Sequence, residues 1–222
     1  MALLKNKNMK ILSIQVGTPK TITYRDHEIT TGIFKSPINT PVKLCRLNLE
    51  SDGQADLKVH GGVDKALYAY SHDAYGWWEK NRPQDKYEFG AFGENLTIDH
   101  LPEDKIYIGD TFEIGKAIVQ VSQPRFPCSK LVAKFNDPSI LKTFNKSNRP
   151  GVYFRVLKEG IIEAGEILTL ISQEEILVSI EELFIFGNTK KMDSKRAQEL
   201  IKIKTLTPNW IKKLSDLIAC EE

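Results

Sequence analysis

Cys128 is the residue whose type and setting in this sequence are best suited to chemistry. Two prolines restrict the backbone just before it, and Arg125 and Lys130 flank it. The residues from Ser129 onward predict a short helix, so the helix dipole and both cations would favour a thiolate over a thiol. Such a thiolate acts as a nucleophile or as a ligand of a soft metal. The commoner role of a free cysteine is that of a small buried apolar residue, and the residues alone leave these alternatives open.

A second candidate is the glycine turn in the stretch 59–66. Gly61 and Gly62 allow a positive φ or a close approach of the backbone to a ligand. The amide groups of such a turn can hold an anion with the help of Lys65, and His60 could donate a proton near neutral pH. The alternative is an ordinary surface turn with a histidine. The P-loop pattern is absent.

A third candidate lies in the stretch 89–97, where two glycines precede Glu94, Asn95 and a predicted strand. A carboxylate and an amide at the entrance of a strand could orient a ligand. They could equally form a satisfied polar pair within a loop, and their spacing does not discriminate between these two roles.

The composition is that of an ordinary globular protein. The 222 residues include 31 Lys+Arg and 29 Asp+Glu, so the net charge is +2. This balance argues against disorder, coiled coil and a dedicated nucleic-acid binder. No apolar run is long enough to span a bilayer, and the first residues do not resemble a signal peptide. The 3 cysteines lack a CxxC pattern, so we expect free thiols and a cytoplasmic protein. From the charge balance and the lack of a long apolar run, we expect it to bind neither nucleic acid nor a membrane.

The elements that must position these candidates are mostly short strands separated by glycine or proline, which is typical of a sandwich or barrel. Two short helices are predicted among them, at 73–80 and 129–135. The predicted strands lie at 10–16, 21–24, 28–33, 42–49, 66–70, 95–98, 111–114, 117–122, 152–157 and 167–171.

The residues after 174 change to helical patterns. Ser179 begins a capping-box pattern for a helix that Gly187 could end, Asp193 could cap a second helix, and Thr207 could cap a third. Eight basic and five acidic residues between 189 and 222 give this tail a charge of +3. We interpret the tail as a solvated helical face, with a docking surface for an acidic partner as the alternative.

The three candidate stretches together resemble a known family. VHGGVDKALYAY, AFGENLT and IGDTFEIGKAIVQVSQPRFPCSKL, in this order, are similar to the MOSC domain, and in particular to its YiiM type, which carries HGG-x-D, FGENL and QPR-x-PC. The resemblance covers roughly 10–172. It implies a mainly β fold, with a MOSC-type β-barrel and inserted short helices over 10–174. A small helical domain of three helices would follow over 175–222, and 1–9 would be an extension.

The resemblance also implies a chemistry. The cofactor would be the molybdenum cofactor, a molybdopterin, with Cys128 as the metal ligand, and pyridoxal phosphate is not expected. The activity would be the reduction of small N-hydroxylated compounds, including purines such as 6-hydroxylaminopurine. A separate redox protein would donate the electrons. The residues agree with this, because molybdenum is held well by sulfur donors and a thiolate is a soft ligand.

The roles of the individual residues follow from this assignment. Cys128, His60 and Asp64 are the predicted catalytic residues; His60 is the preferred proton donor, and Asp64 or Glu94 could replace or orient it. Two other functions stay open: a cysteine-dependent sulfur transferase, and a non-catalytic protein that binds or carries the molybdenum cofactor. The residues predicted to contact the cofactor are Arg125, Lys65, Lys130, Gly61, Gly62, Asn95, Glu94 and Ser129.

Overall fold

The computed structural model describes residues 9–55 and 61–220. Twelve strands and six α-helices lie in this part of the chain. In order they are β1 (Met9–Val16), β2 (Lys20–Tyr24), β3 (His27–Thr31), β4 (Ser36–Ile38), β5 (Val42–Leu44), β6 (Leu67–Ser71), α1 (Asp73–Asn81), β7 (Leu96–Ile98), β8 (Thr111–Ile114), β9 (Ala117–Pro124), α2 (Ser129–Phe135), α3 (Ser139–Ser147), β10 (Val152–Lys158), β11 (Gly160–Ile162), β12 (Ile167–Ser172), α4 (Ile180–Thr189), α5 (Ser194–Leu200) and α6 (Pro208–Ala219).

Seven of the strands close into a barrel. Their order is β12-β8-β9-β10-β6-β7-β1, and β1 pairs with β12 to complete the ring. Neighbouring strands are antiparallel except β6 and β7, which are parallel. Alternating residues of β10, such as Val152, Phe154 and Val156, point into the apolar interior. The predicted mainly β barrel with inserted helices and C-terminal helices is confirmed.

The inserted helices build a second apolar cluster on the outside of the barrel. It is rich in aromatic side chains, including Trp78 of α1, Phe144 of α3 and Tyr68 of β6. The Trp78 indole donates a hydrogen bond to the Tyr70 hydroxyl over 2.6 Å, so this buried donor is satisfied. The cluster supports the loops that surround the candidate site.

The C-terminal helices share the main core with the barrel. Leu183 and Phe186 of α4 and Trp210 of α6 belong to the same buried cluster as Val119 of β9. Helices this short are not stable alone in water, so their packing against the barrel is what stabilises them. No helix in the described ranges is long and apolar enough to cross a membrane.

Two of the predicted helix caps are confirmed. The Ser179 hydroxyl accepts a hydrogen bond from the Glu182 backbone N–H over 3.0 Å, and the Asp193 carboxylate accepts one from the Arg196 N–H over 3.1 Å. The Glu182 side chain does not complete a capping box, because its carboxylate pairs instead with the Arg196 guanidinium at 2.8 Å. These contacts fix the start of α4 against the start of α5.

The predicted end of α4 at Gly187 is wrong. The helix continues to Thr189, and Lys190 takes the left-handed conformation with φ 59°. Gly187 lies instead where α4 meets the aromatic ring of Phe126, since a Cβ atom there would be 2.3 Å from that ring. The glycine is therefore required for packing and not for ending the helix.

This contact predicts that replacing Gly187 by alanine, which normally stabilises a helix, will instead destabilise the protein. Gly187→Ala should destabilise the protein by about 1–3 kcal/mol, because overpacking against Phe126 outweighs the helix propensity of alanine. Gly76→Ala is the matched control, since Gly76 lies in α1 and a Cβ atom there meets nothing within 4 Å. The control should be about 0.5–1 kcal/mol more stable than the parent protein. Urea unfolding measures both, and a stabilised Gly187→Ala protein would contradict the packing argument.

Two other predictions differ from the structure. The strand predicted at 42–49 ends at Leu44, because the Cys45 N–H bonds to the Asn48 carbonyl in a turn. Helix α3 was not predicted. Its two buried apolar residues, Ile140 and Phe144, span a single helical turn and are followed by polar residues, so the helical stripe is short.

Buried Glu103 gives the fold a predictable pH dependence. Burial raises the pKa of its carboxyl from 4.5 to about 7, and the nearby Glu181 adds to this, while hydrogen bonds and Arg149 oppose it. The folded protein therefore holds a proton that the unfolded chain has lost, so stability declines as the pH rises from about 5 to 7. Glu103→Gln should raise the free energy of unfolding at pH 8 by up to about 3 kcal/mol and change it little at pH 4. Denaturant unfolding at the two pH values tests this; equal effects at both would refute it.

Candidate functional site

A pocket beside the barrel brings Cys128 together with several charged side chains. Arg125, Cys128 and Lys130 come from the corner between β9 and α2, and Lys65 comes from a short 3₁₀ turn before β6. The other lining residues in the described chain come from the ends of β3, β6 and β10 and from the loops before β4, after β5 and before β7. They are Thr31, Gly32, Ile33, Lys35, Asp52, Gly53, Gln54, Ala55, Tyr68, Phe92, Gly93, Asn95 and Tyr153.

The corner that carries Cys128 has the predicted strand-to-helix geometry. Cys128 is extended, with φ −141°, and its carbonyl accepts a hydrogen bond from the Leu131 N–H over 2.9 Å as α2 begins. Its side chain is half-buried at the pocket. Ser129 is exposed and does not line the pocket. Because α2 spans only 7 residues, we assign the positive charge here to the cationic side chains rather than to the helix dipole.

Arg125 is a buried cation with an unused hydrogen-bond donor. The residue is 6% exposed, and its guanidinium lies 5.1 Å from the centre of the Tyr68 ring and 5.4 Å from that of Phe144. Its Nη1 atom is buried and has no hydrogen-bond partner among the described residues. A buried donor without an acceptor costs free energy, so such atoms in native proteins usually face a ligand or an ordered water.

The phenols beside Arg125 do not neutralise it. Burial raises the pKa of Tyr68 and of Tyr153, although the Arg125 charge opposes the rise. The Tyr68 hydroxyl donates a hydrogen bond to the Pro150 carbonyl over 2.8 Å. The centres of the Tyr68 and Tyr153 rings lie 5.0 Å apart. Both phenols therefore stay uncharged near neutral pH, and the positive charge of Arg125 remains available.

A buried ion pair that sequence reasoning missed forms another wall of the pocket. Lys35 pairs with Asp52, and both side chains are almost fully buried. Asp52 also accepts hydrogen bonds from the Gly17 N–H and from Asn95 Nδ2, each over 2.9 Å. Burial lowers the pKa of Lys35 even though Asp52 raises it. The only signal in the sequence was a lysine inside the largely apolar run 33–38.

The pocket is strongly cationic. Its described lining contains Lys35, Lys65, Arg125 and Lys130 but a single carboxylate, that of Asp52. The formal charge of these side chains is therefore +3. Low-dielectric walls concentrate the field of such a cluster, so the pocket suits an anionic ligand.

The structure gives the predicted residues Glu94 and Asn95 two different roles. Asn95 lines the pocket, and its amide oxygen accepts a hydrogen bond from the Tyr68 N–H over 3.2 Å. Glu94 is fully buried and does not line it. The Glu94 carboxylate accepts hydrogen bonds from the Gly90 N–H over 3.0 Å and from the Phe92 N–H over 2.9 Å, so it holds the loop that carries Asn95.

The glycine turn presents its charged residues in different directions. The Asp64 carboxylate lies 2.8 Å from the Arg155 guanidinium, outside the pocket lining, whereas Lys65 reaches the pocket. Gly62 has φ 91°, which explains the need for glycine, but neither Gly62 nor Gly61 is among the lining residues. His60, the predicted proton donor, lies outside the described residues.

A site with several protein ligands for a metal is not present in the described ranges. No group of three His, Cys, Asp or Glu side chains there could hold a metal ion. A metal at Cys128 would therefore need most of its ligands from a bound cofactor.

Residues 56–169, more than half of the chain, match the family model of the MOSC domain. The chain belongs to the MOSC domain family. It is 33% identical over 199 residues to protein YiiM of Escherichia coli, covering 89% of this chain and 88% of the relative. It is 43% identical over 180 residues to YflK of Bacillus subtilis, with 80% of each chain covered. The YiiM type of this family, predicted from the three motifs, is thereby confirmed.

The fold is also that of a solved YiiM protein. The crystal structure of YiiM from Geobacillus stearothermophilus superimposes with a TM-score of 0.79 at 34% identity, over 95% of this chain and 99% of that one. A more distant relative, a protein of Gibberella moniliformis named "Reductase", is 35% identical over 149 residues. These residues are 66% of this chain but 26% of the relative, so the shared region is one part of a longer protein. MOSC domains as a class are associated with the molybdenum cofactor.

Proposed function

We propose that this MOSC protein is a molybdenum-cofactor-dependent reductase of N-hydroxylated compounds, with the Cys128 thiolate as the protein ligand of molybdenum. The observation that carries the proposal is the buried Arg125 Nη1 atom, which lacks an acceptor in the same pocket as Cys128. The molybdenum cofactor is anionic and contains sulfur, phosphate and pterin groups. It would supply the acceptor that Arg125 lacks and the remaining sulfur ligands that a single cysteine cannot provide.

Different side chains of the pocket would bind different parts of this cofactor. Cys128 would bind the metal, while Arg125, Lys65 and Lys130 would offset the negative charge of the dithiolene and the phosphate. Arg125 is the best suited of these to a phosphate, because its planar fork can form two parallel hydrogen bonds. Lys35, which pairs with Asp52, lies on another wall of the pocket.

The reaction R–NHOH + 2e⁻ + 2H⁺ → R–NH₂ + H₂O breaks the N–O bond and consumes two protons. The bound cofactor would supply the two-electron chemistry, and the chain would position the substrate and deliver protons. Burial brings the pKa of the Lys35 ammonium down, so this pocket group can release a proton more readily than an exposed lysine. Proton donation by His60 stays a prediction. Asp64 would act at most by orienting the turn, since its carboxylate faces Arg155.

The distant relative supports a redox role without specifying the reaction. Its name is "Reductase", and only 26% of its length corresponds to the matched region. That name agrees with our proposal that this protein is a reductase, for which we propose a separate redox protein as the electron donor.

The test begins with protein produced in a host that makes the molybdenum cofactor. We expect stoichiometric molybdenum by mass spectrometry of the metal, a pterin by its fluorescence after oxidation, and conversion of 6-hydroxylaminopurine to adenine with reduced methyl viologen. Bound molybdenum without turnover of any N-hydroxylated compound would indicate a cofactor carrier instead. A protein that transfers sulfur through Cys128 in the absence of metal would contradict the proposal.

A further inference from the structure

We propose that Lys65, Lys190 and Lys213 form the docking face for a small electron-donor protein with an acidic surface. The inference rests on the proposed function, because it names the partner that would deliver electrons to the cofactor at Cys128. It assigns the basic tail a specific role, and it places that role at the junction between the tail and the candidate site.

Phe126 is the structural centre of this face. Its ring lies 5.1 Å from that of Phe184 in α4 and 6.1 Å from that of Trp210 in α6. Gly187 of α4 packs directly against the same ring. The corner between β9 and α2 is therefore held by the C-terminal helices only two residues before Cys128.

Two tail lysines surround this contact. The Lys213 ammonium lies 4.5 Å from the centre of the Trp210 ring and 5.7 Å from that of Phe126. The Lys190 ammonium donates a hydrogen bond to the Gly187 carbonyl over 2.7 Å. Lys65 lines the pocket that contains Cys128. The three cations thus extend from the helical tail to the Cys128 pocket.

The three charges are close enough to repel one another. Partial burial lowers the pKa of Lys213, and the positive charges of Lys190 and Lys65 lower it further. Like charges held together cost free energy, and an acidic partner that docks beside Lys190 and Lys213 would reduce the repulsion between these two.

The location suits electron delivery. Electron transfer slows steeply with distance, so a donor protein must approach the metal ligand closely while the pocket itself holds cofactor and substrate. A face centred on Phe126 meets both conditions. Opposite charges on the two proteins would also steer their encounter, which accelerates association and makes it sensitive to salt.

The experiment compares two charge reversals of equal size. The double variant Lys190→Glu/Lys213→Glu changes the proposed face, and Lys142→Glu/Lys146→Glu changes two exposed lysines of α3 by the same amount. The cofactor-loaded proteins reduce 6-hydroxylaminopurine with either reduced flavodoxin or reduced plant-type ferredoxin, both acidic carriers. Reduced methyl viologen, a small cation, serves as the reductant that needs no docking face.

We expect the Lys190/Lys213 variant to lose about tenfold or more of the second-order rate with the acidic carriers at low ionic strength. Its rate with methyl viologen and its molybdenum content should not fall, and the α3 variant should resemble the parent in all assays. Added salt should slow the parent with the carriers but affect the variant little. Calorimetric titration with oxidised flavodoxin should show that the parent and the α3 variant bind it more tightly than the Lys190/Lys213 variant does.

Several results would contradict the proposed docking face. The Lys190/Lys213 variant could keep the parent's rate with the carriers, or lose its molybdenum. The α3 variant could lose as much rate, or the parent could accept electrons from viologen but from neither carrier. The milder pair Lys190→Gln/Lys213→Gln repeats the test if the reversal unfolds the tail. Failure of the parent protein with viologen itself would instead count against the proposed reductase function.

Discussion

Replacement of Cys128 by alanine is expected to abolish molybdenum binding and N-hydroxyl reduction together. We expect molybdenum content to fall below a tenth of the parent value and turnover to fall by about a thousandfold or more, since a metal ligand is lost outright. The reason is structural: Cys128 is the only sulfur among the described residues that line the cationic pocket. Metal analysis and the 6-hydroxylaminopurine assay on the same preparation measure the two effects.

The other cysteines provide matched controls. Cys45 lies half-buried in a turn and Cys220 lies exposed after α6, and neither lines the pocket. Cys45→Ala and Cys220→Ala should retain both metal and activity. A Cys128→Ala protein that still reduces the substrate would disprove the ligand assignment.

Replacement of Arg125 by methionine should separate ligand binding from stability. A charge-assisted hydrogen bond contributes about 1.5–3 kcal/mol, so the loss of two such bonds to an anionic cofactor should weaken its binding by about a hundredfold or more. The cofactor-free variant should be as stable as the parent or more stable, because methionine removes a buried donor that lacks an acceptor. Equilibrium loading with isolated cofactor and urea unfolding measure the two quantities.

Arg82 is the matched control for this prediction. It is also buried, at 4% exposed, but its guanidinium has protein partners: Asp85 at 2.5 Å, Asp137 at 2.8 Å and Ser139 at 2.8 Å. Arg82→Met should therefore destabilise the fold by about 1–3 kcal/mol, because it leaves the mostly buried Asp85 carboxylate without its partner, whereas water can solvate the more exposed Asp137. If Arg125→Met destabilised the cofactor-free protein as much as Arg82→Met does, Arg125 would be a structural residue and the proposal would lose its main support.

The contrast between the two arginines shows what a sequence can and cannot reveal. The motif around Cys128 singles out Arg125 in the sequence, but the sequence does not show which of the two guanidinium groups has partners within the protein. Arg82 has one local partner, Asp85, but its other carboxylate partner, Asp137, comes from the segment before α3. Arg125 meets Tyr68 from the distant strand β6. Only the assembled structure shows that one guanidinium is fully paired and that the other has a free donor.

Local patterns determined much of the fold correctly. Strands β8 to β10 and helix α2 were predicted because apolar alternation, flanking turns and a preceding proline are local signals. The caps of α4 and α5 were likewise predicted from single residues, Ser179 and Asp193. The strand beyond Leu44 was wrong because a chain reversal at Cys45 is stabilised by backbone hydrogen bonds, which residue types specify weakly.

The sequence by itself determined the family, through the order of its motifs, and the corner that holds Cys128, because both are properties of the linear chain. Strand periodicity alone left a sandwich or a barrel, and the resemblance to the family selected the barrel. The tertiary structure decided which charged residues face the pocket: it placed Lys35 and Asp52 there, and turned Asp64 and Glu94 towards other partners. It also placed α4 and α6 against Phe126. These outcomes depend on contacts between segments far apart in the chain, which no local pattern encodes.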